Sequence, residues 1–362
     1  PEGAALGAVY TTNQVVAAPV VLSRTHAQSD QTFALVVNSG NANACTGAQG
    51  DLDALEMTQA VADALKLKHH TVQVCSTGVI GQTLPIDKIR GGIEFAVQSL
   101  SPHHASDFAE AIRTTDLYQK AVRTTFEHQG SAYTVQGIAK GAGMIAPNMA
   151  TMLAFVFTDA PIEQGDLTQL WHRVCDTTFN AMTVDGDTST NDTALILSSG
   201  ARTAPLDSAG QAQFEQSVLA VCDELAHLIV GDGEGATKAV RIKVCGAQST
   251  ADAQTIANVI ARSPLVKTAL HGEDPNWGRI IAAAGRSGIK IAPERLALSF
   301  NEHTLYEASA WCGEAAEKQV HAVMKKPRYT ITLDLNCGEA SAAVLTCDLT
   351  AEYIRINADY RS

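Results

Sequence analysis

Basic residues are in short supply: 26 lysines and arginines stand against 38 aspartates and glutamates, a formal net charge of -12. Nucleic acid and anionic lipid are held by concentrated Lys/Arg surfaces, so this balance disfavours both and favours a small-molecule substrate. The eight cysteines (Cys45, Cys75, Cys175, Cys222, Cys245, Cys312, Cys337 and Cys347) include no C-x-x-C pair and no histidine at zinc-ligand spacing. They read as reduced, buried thiols, and no metal is expected. Long apolar runs are missing too: Met152 to Phe157 and Ile280 to Ala284 are far too short to cross a bilayer. Nor does any repeat or low-complexity linker break the chain. A cytoplasmic location is the expectation, although a chain that opens on Pro1 leaves room for a preceding targeting peptide.

What is present suits a globular enzyme. Of the 362 residues, 46% are hydrophobic and 18% charged, enough for one large or two closely joined α/β domains. Buried-type strands alternate with amphipathic helices. Phe33 to Val37 reads as a core strand ending in the turn-rich NSGNANACTG, Asn38 to Gly47. Asp51 to Leu67 reads as a helix, since Ala54, Met57, Val61, Ala64 and Leu65 share one face. Thr71 to Cys75 reads as a strand running into a small-residue loop, Ser76 to Gly81. Tyr133 to Ala139 and Thr151 to Thr158 read as strands joined by a Gly/Pro-interrupted loop. Helices are expected near Asp166 to Phe179, Ala212 to Leu228 and Asp252 to Arg262. Strands are expected near Ala194 to Leu197, Val240 to Val244, Tyr329 to Leu335 and Ala342 to Thr346, the last two flanking a hairpin-like turn at Asn336 to Glu339. The fold class is α/β (α+β), a mixed-sheet, sandwich-like architecture covered by helices.

The chemistry concentrates in KGAGMIAPNMATMLAFVFTDA, Lys140 to Ala160, where a loop delivers a hydroxyl to the head of an apolar strand. Taken alone, Thr151 is a β-branched residue opening a strand. Cleavage of the Ala150–Thr151 bond would change that, because the freed α-amine, with a reference pKa of about 7.7 to 8.0, is a base on the nucleophile's own residue.

At this segment the sequence resembles the ornithine acetyltransferase family, in which a lysine-glycine loop precedes P-x-x-A-T-M-L and the chain cleaves itself before the threonine. Further matches are CSTGVIG (Cys75 to Gly81), TTD (Thr114 to Asp116), TVDGDTSTNDT (Thr183 to Thr193), GDGEGATK (Gly231 to Lys238), EDPNWGR (Glu273 to Arg279) and the terminal INADYRS. The resemblance runs from Thr11 to Ser362, and the family typically has additional residues before the first one here. It implies an α fragment, 1–150, and a β fragment, 151–362, forming one intertwined catalytic unit and associating as a heterotetramer of two of each. It implies Thr151 as nucleophile, Thr77 and Gly78 as the oxyanion hole, and substrate contacts from Lys140, Thr151, Glu234, Asn357 and Ser362 and from one threonine of the Thr114-Thr115 pair, of which Thr114 is favoured. Lys140 and Glu234 suit an amino-acid substrate that carries both a carboxylate and an ammonium group.

The implied activity is acetyl transfer from N2-acetylornithine to L-glutamate in arginine biosynthesis, by a ping-pong acyl-enzyme route with no cofactor. Acetyl-CoA stands as a second donor that the sequence does not decide. Two rivals share these residues: an N-terminal-nucleophile aminopeptidase or amidase, in which water accepts the acyl group, and a non-catalytic amino-acid-binding protein. The competing local signals are weaker. Gly231, Gly233 and Gly235 meet neither a P-loop nor a dinucleotide pattern. The acidic run Asp185, Asp187, Asn191 and Asp192 lacks the glycine and glutamate of a calcium loop. The His69-His70 and His103-His104 pairs read as surface residues, and Cys75 as a small core residue.

Overall fold

The computed structural model describes residues 3–146, 152–202 and 205–359, so Ala150, Thr151 and Ser362 lie outside the described residues. The chain forms two compact units, one from residues 3–180 with 187–229 and the other from 181–186 with 230–359. The expected division between the α and β fragments therefore falls, in sequence, inside the first unit.

Side-chain alternation sets the layers of that first unit. Its five-stranded sheet runs in the order Ala5–Tyr10, Thr193–Ser198, Leu153–Thr158, Ser131–Lys140, Lys120–His128. On one face Gly137 meets the helix Ser208–Gly231 so closely that a Cβ there would lie 2.6 Å from Leu225 Cδ1. The opposite face presents Leu6, Ile138, Leu153, Phe155 and Leu195, which pack with Leu35, Val37 and Cys75 of a two-stranded parallel sheet, Ala34–Asn41 with Val72–Val79. The far side of that small sheet, Val36, Val72 and Val74, is closed by Met57 and Val61 of the helix Gly47–Leu65, Leu22 of Ala18–His26 and Ile93 of Ile86–Gln98. The result is a four-layer helix–sheet–sheet–helix sandwich. Each fully buried Leu, Val or Phe in it contributes about 1.5–3 kcal/mol by leaving water.

The second unit carries a seven-stranded mixed sheet, in the order Ala310–Trp311, His303–Glu307, Ala297–Phe300, Arg328–Asp334, Ala239–Ala247, Ala340–Cys347, Met182–Thr183. Val240, Ile242, Val244, Ile331, Leu333 and Val344 form its core with Ile256 and Ile260 of the helix Thr250–Ala261 and Val320 and Val323 of Glu314–Met324.

The structure corrects several boundaries. The strand expected to stop at Val37 runs on to Asn41, and the one expected to stop at Cys75 runs on to Val79, because the two go on pairing through Asn38 to Asn41 and Ser76 to Val79, with an irregularity at Asn41. The small-residue segment expected as a loop is thus mostly strand. The Asn336 to Glu339 turn is not a hairpin: Arg328–Asp334 and Ala340–Cys347 lie on opposite sides of Ala239–Ala247, the former parallel to it and the latter antiparallel. The cysteines are all free, but only Cys75, Cys175, Cys222 and Cys347 are buried; Cys245 and Cys337 are half-buried, and Cys45 and Cys312 are exposed. His69, His70, His103 and His104 are exposed, as expected. No helix among the described residues is long and apolar enough to cross a membrane.

Candidate active site

Two strands aim their ends at one another in the first unit. Along Val72–Val79, Cys75 and Thr77 share a face by the period of two, and Cys75 packs against the five-stranded sheet. Along Ser131–Lys140, Ile138 and Lys140 share the face that packs back. Lys140 and Thr77 therefore meet: the buried ammonium donates to Thr77 Oγ1 at 3.2 Å and to Thr114 Oγ1 at 2.7 Å. Of the Thr114-Thr115 pair, Thr114 is the one that joins this cluster. A hydroxyl that accepts from an ammonium keeps its own proton to donate elsewhere, the requirement for an oxyanion donor.

Gly78 follows on the same strand with φ +132, opposite Gly40. A Cβ there would lie 2.2 Å from the Gly40 carbonyl carbon, so only glycine lets the two strands approach at this point.

The charge of the cluster is organised by Asp116, the third residue of TTD. Its Oδ1 accepts from Lys120 Nζ at 2.6 Å and from the Gly141 N–H at 2.7 Å, and Oδ2 lies 3.8 Å from Lys140 Nζ. Burial pushes the Asp116 carboxyl up, but the two lysines and the Gly141 N–H outweigh it and hold the group at about 2. Two ammonium groups around one carboxylate leave these three side chains with one net positive charge, suited to a substrate carboxylate or a developing oxyanion.

The TVDGDTSTNDT segment reaches into the same unit. Asn191 Nδ2 donates to the carbonyls of Ala42 at 2.6 Å and Ser76 at 2.9 Å, the latter in the peptide unit that carries the Thr77 N–H. Asp192 Oδ1 accepts the Met152 N–H at 2.8 Å, and the Thr193 N–H donates to the Met152 carbonyl at 3.2 Å. Both backbone groups of the residue following Thr151 are thereby pinned. Burial pushes the Asp192 carboxyl well above its usual range, with the Met152 N–H and the Lys140 charge pulling the other way.

The second unit holds another pair of expected substrate residues, brought together by the helix Ala351–Asp359: Asn357 Nδ2 donates to Glu234 Oε2 at 2.8 Å. That helix starts against the glycine-rich loop. Thr350 Oγ1 donates to the Gly235 carbonyl at 2.8 Å and accepts the Tyr353 N–H at 3.2 Å, capping the helix. The rest of the loop is structural. The Thr237 and Lys238 N–H groups both donate to Asp348 Oδ1, at 2.8 and 2.9 Å, so a carboxylate of the chain itself sits where a phosphate cradle would need its ligand. Lys238 pairs with Glu273 at 2.7 Å, which ties GDGEGATK to EDPNWGR, where the Asn276 side chain caps the helix Trp277–Gly285 by accepting from Arg279 N–H. Ser362, Ala150 and Thr151 lie outside the described residues.

Cys75 is no nucleophile: it is buried in the core, and burial pushes its thiol up to about 12. Among the described residues no group of His, Cys, Asp or Glu is placed to hold a metal ion. A surface hollow of about 440 Å³, lined by Phe33, Leu35, Gln136, Phe157 and Leu197, includes none of these site residues, so the site rests on its chemistry. Sequence reasoning passed over Asp116, Lys120, Asn191 and Asp192 as site residues. The available signal was that Asp116, Asn191 and Asp192 stand within the matched motifs.

The pattern that defines the ArgJ family matches residues 1–362. An arginine biosynthesis bifunctional protein ArgJ from Geobacter sulfurreducens is 50% identical over 362 residues, 99% of this chain and 92% of that protein. The chain belongs to the ArgJ family. Its namesake from Methylococcus capsulatus is 47% identical over 365 residues, covering 100% of this chain and 89% of its own. The crystal structure of the ArgJ protein from Bacillus halodurans is similar at a TM-score of 0.54 and 38% identity, over 57% of this chain and 98% of that one. Over 57% of its length the mixed α/β fold of this chain is thus shared with a solved ArgJ structure.

Proposed function

We propose that this ArgJ-family chain transfers an acetyl group from N2-acetylornithine to L-glutamate through an acetyl ester on Thr151, freed as an N-terminus by self-cleavage after Ala150. The observation that carries the reading is the cluster of Lys140, Thr77, Thr114 and Asp116 in a chain of this family. Thr151 Oγ attacks the acetyl carbonyl and its proton passes to the Thr151 amine. Thr77 Oγ1–H and the Gly78 N–H donate to the oxyanion. The C–N bond to ornithine breaks as the proton moves from the Thr151 amine to the departing nitrogen. Glutamate's amine then attacks the ester and the same steps run in reverse.

Thr114, Lys140, Glu234, Asn357 and Ser362 are the substrate-binding residues of this reading. The interleaved sheet supports cleavage without dissociation, because strands before residue 150 flank strands after residue 151 on both sides, with Ala5–Tyr10 beside Thr193–Ser198 and Ser131–Lys140 beside Leu153–Thr158. Association of two such pairs into a heterotetramer, and use of acetyl-CoA as a second donor, belong to the same proposal.

Incubation with N2-acetylornithine, with and without glutamate, tests the reading. Ornithine should appear much faster with glutamate, matched mole for mole by N-acetylglutamate. Release that ignores glutamate and yields acetate would make the protein an amidase, and binding without turnover would leave only an amino-acid-binding protein. Acetyl-CoA supplied with glutamate in a separate reaction decides whether there is a second donor.

A further inference from the structure

Two lysines share one carboxylate at the Lys140 cluster, and the structure gives them unequal parts. Lys120 opens the strand Lys120–His128 and pairs with Ala139, the residue before Lys140 on the neighbouring strand. Its ammonium is enclosed: Nζ lies 2.6 Å from Asp116 Oδ1, 3.5 Å from the Tyr118 carbonyl and 5.0 Å from the centre of the Tyr118 ring, and none of the side chain is exposed. The Tyr118 hydroxyl is fastened in turn, donating to the Leu228 carbonyl at 3.1 Å. Lys140 stands differently. Its Nζ is 3.8 Å from Asp116 Oδ2, beyond hydrogen-bond length, and donates to the neutral hydroxyls of Thr77 and Thr114. Asp116 takes backbone donors at both oxygens as well, the Gly141 N–H at 2.7 Å on Oδ1 and the Thr114 N–H at 3.2 Å on Oδ2. Asp192, a second carboxyl that feels the Lys140 charge, is pushed by burial well above its usual range, towards the neutral form.

Resting on the reading of Lys140 as a substrate contact, we propose that Lys120 is a positioning residue for substrate: by neutralising Asp116 it leaves the Lys140 ammonium charge to the α-carboxylate of an amino acid. Without Lys120, Asp116 and Lys140 would form a neutral buried pair, and an incoming carboxylate would be repelled by the one as it is attracted by the other. Ornithine and glutamate have the α-carboxylate in common, so one cation serves both halves of the transfer. Lys120 acts through Asp116 alone, since its own ammonium is enclosed by the carboxylate and Tyr118. Charge accounting fixes what must follow. The three side chains carry one net positive charge; Lys120→Met removes it, Asp116→Asn doubles it, and the two together restore it. A lysine that only tied Asp116 to its strand would not make affinity depend on the charge of the ligand.

The test compares ornithine with ornithinamide, in which a neutral amide replaces the carboxylate, by calorimetric titration of the full chain. The preference of the unaltered protein for ornithine is the reference. Lys120→Met should cut that preference about tenfold, Asp116→Asn should raise it, and Asp116→Asn/Lys120→Met should return it to within about threefold of the reference. A preference untouched by Lys120→Met, or a double variant as indifferent as Lys120→Met, would overturn the proposal. Each single variant unbalances buried charge and risks unfolding, whereas the double removes both members of the pair. If neither single variant folds, the double decides alone, and a preference lost there, with Lys140 still in place, overturns the role of Lys120. Lys140→Met separates the two levels: an unchanged preference in it would sink Lys140 as the carboxylate contact, whereas a preference lost in Lys140→Met and kept in Lys120→Met would remove only the role of Lys120.

Discussion

Asp116 sets the charge of the Lys140 cluster, and its behaviour with pH is a direct consequence. A carboxyl held at about 2 in the folded chain, against an ordinary 3.8, contributes stability that is complete above about pH 4 and is lost as the pH falls towards 2. The shift corresponds to about 2 kcal/mol. Asp116→Asn should flatten the dependence of urea stability on pH in that window. At pH 7 it should cost about 3–5 kcal/mol, because Lys120 and Lys140 would remain buried without their shared carboxylate. Thr77→Ala makes the complementary prediction on activity: kcat should fall about a hundredfold to a thousandfold, while ornithine affinity hardly changes, since the donor acts on charge that develops only in the transition state. Equal losses in both would take Thr77 out of the oxyanion hole. Thr77, Thr114 and Lys140 were legible in the sequence through the motifs that hold them, whereas Lys120 stands in none. The buried carboxylates were not, because Asp116 and Asp192 read as ordinary polar residues until strand pairing and burial place them beside Lys140 and Met152.

Strand parity turns these single residues into a site. Thr77 and Lys140 meet because each lies two residues beyond a core-facing neighbour, Cys75 and Ile138. That alternation is readable from sequence. The pairing of Ala34–Asn41 with Val72–Val79 is not, since hydrophobicity fades after Val37 and Cys75 and the small residues beyond look like turns. What continues the strands is backbone pairing, which leaves no mark in side-chain periodicity. The same blindness made the Asn336 turn look like a hairpin, although Ala239–Ala247 lies between the strands it joins. Gly78→Ala tests the close approach at this level. A Cβ at 2.2 Å from Gly40 and a φ of +132 should separate the strand ends, destabilise the fold and abolish transfer, whereas Gly81→Ala, with nothing within 4 Å of its Cβ position, should cost far less despite its own positive φ. Thermal melts of the two variants make the comparison. Comparable melts would mean that the Gly40–Gly78 contact yields without effect.

For the whole molecule, the sheet order of the first unit interleaves strands from the two sides of residue 150, so a cut there severs a covalent link and leaves the hydrogen-bond ladder in place. The fragments should co-elute on a sizing column in native buffer and separate in denaturant; dissociation in native buffer would contradict the ladder. The α/β class and the extent of the resemblance were readable along the chain. The division into two units was not, because residues 181–186 join a sheet whose other strands all come from beyond residue 238. Whether one threonine, exposed by cleavage, carries the acetyl group is decided by mass spectrometry of the denatured protein before and after N2-acetylornithine, without glutamate. Two fragments divided at Ala150–Thr151 are expected, with a single acetyl group appearing on the 151–362 fragment, located on Thr151 and discharged when glutamate is added. A fully active chain that remains uncut, or an acetyl group lodged on any other residue, would contradict it.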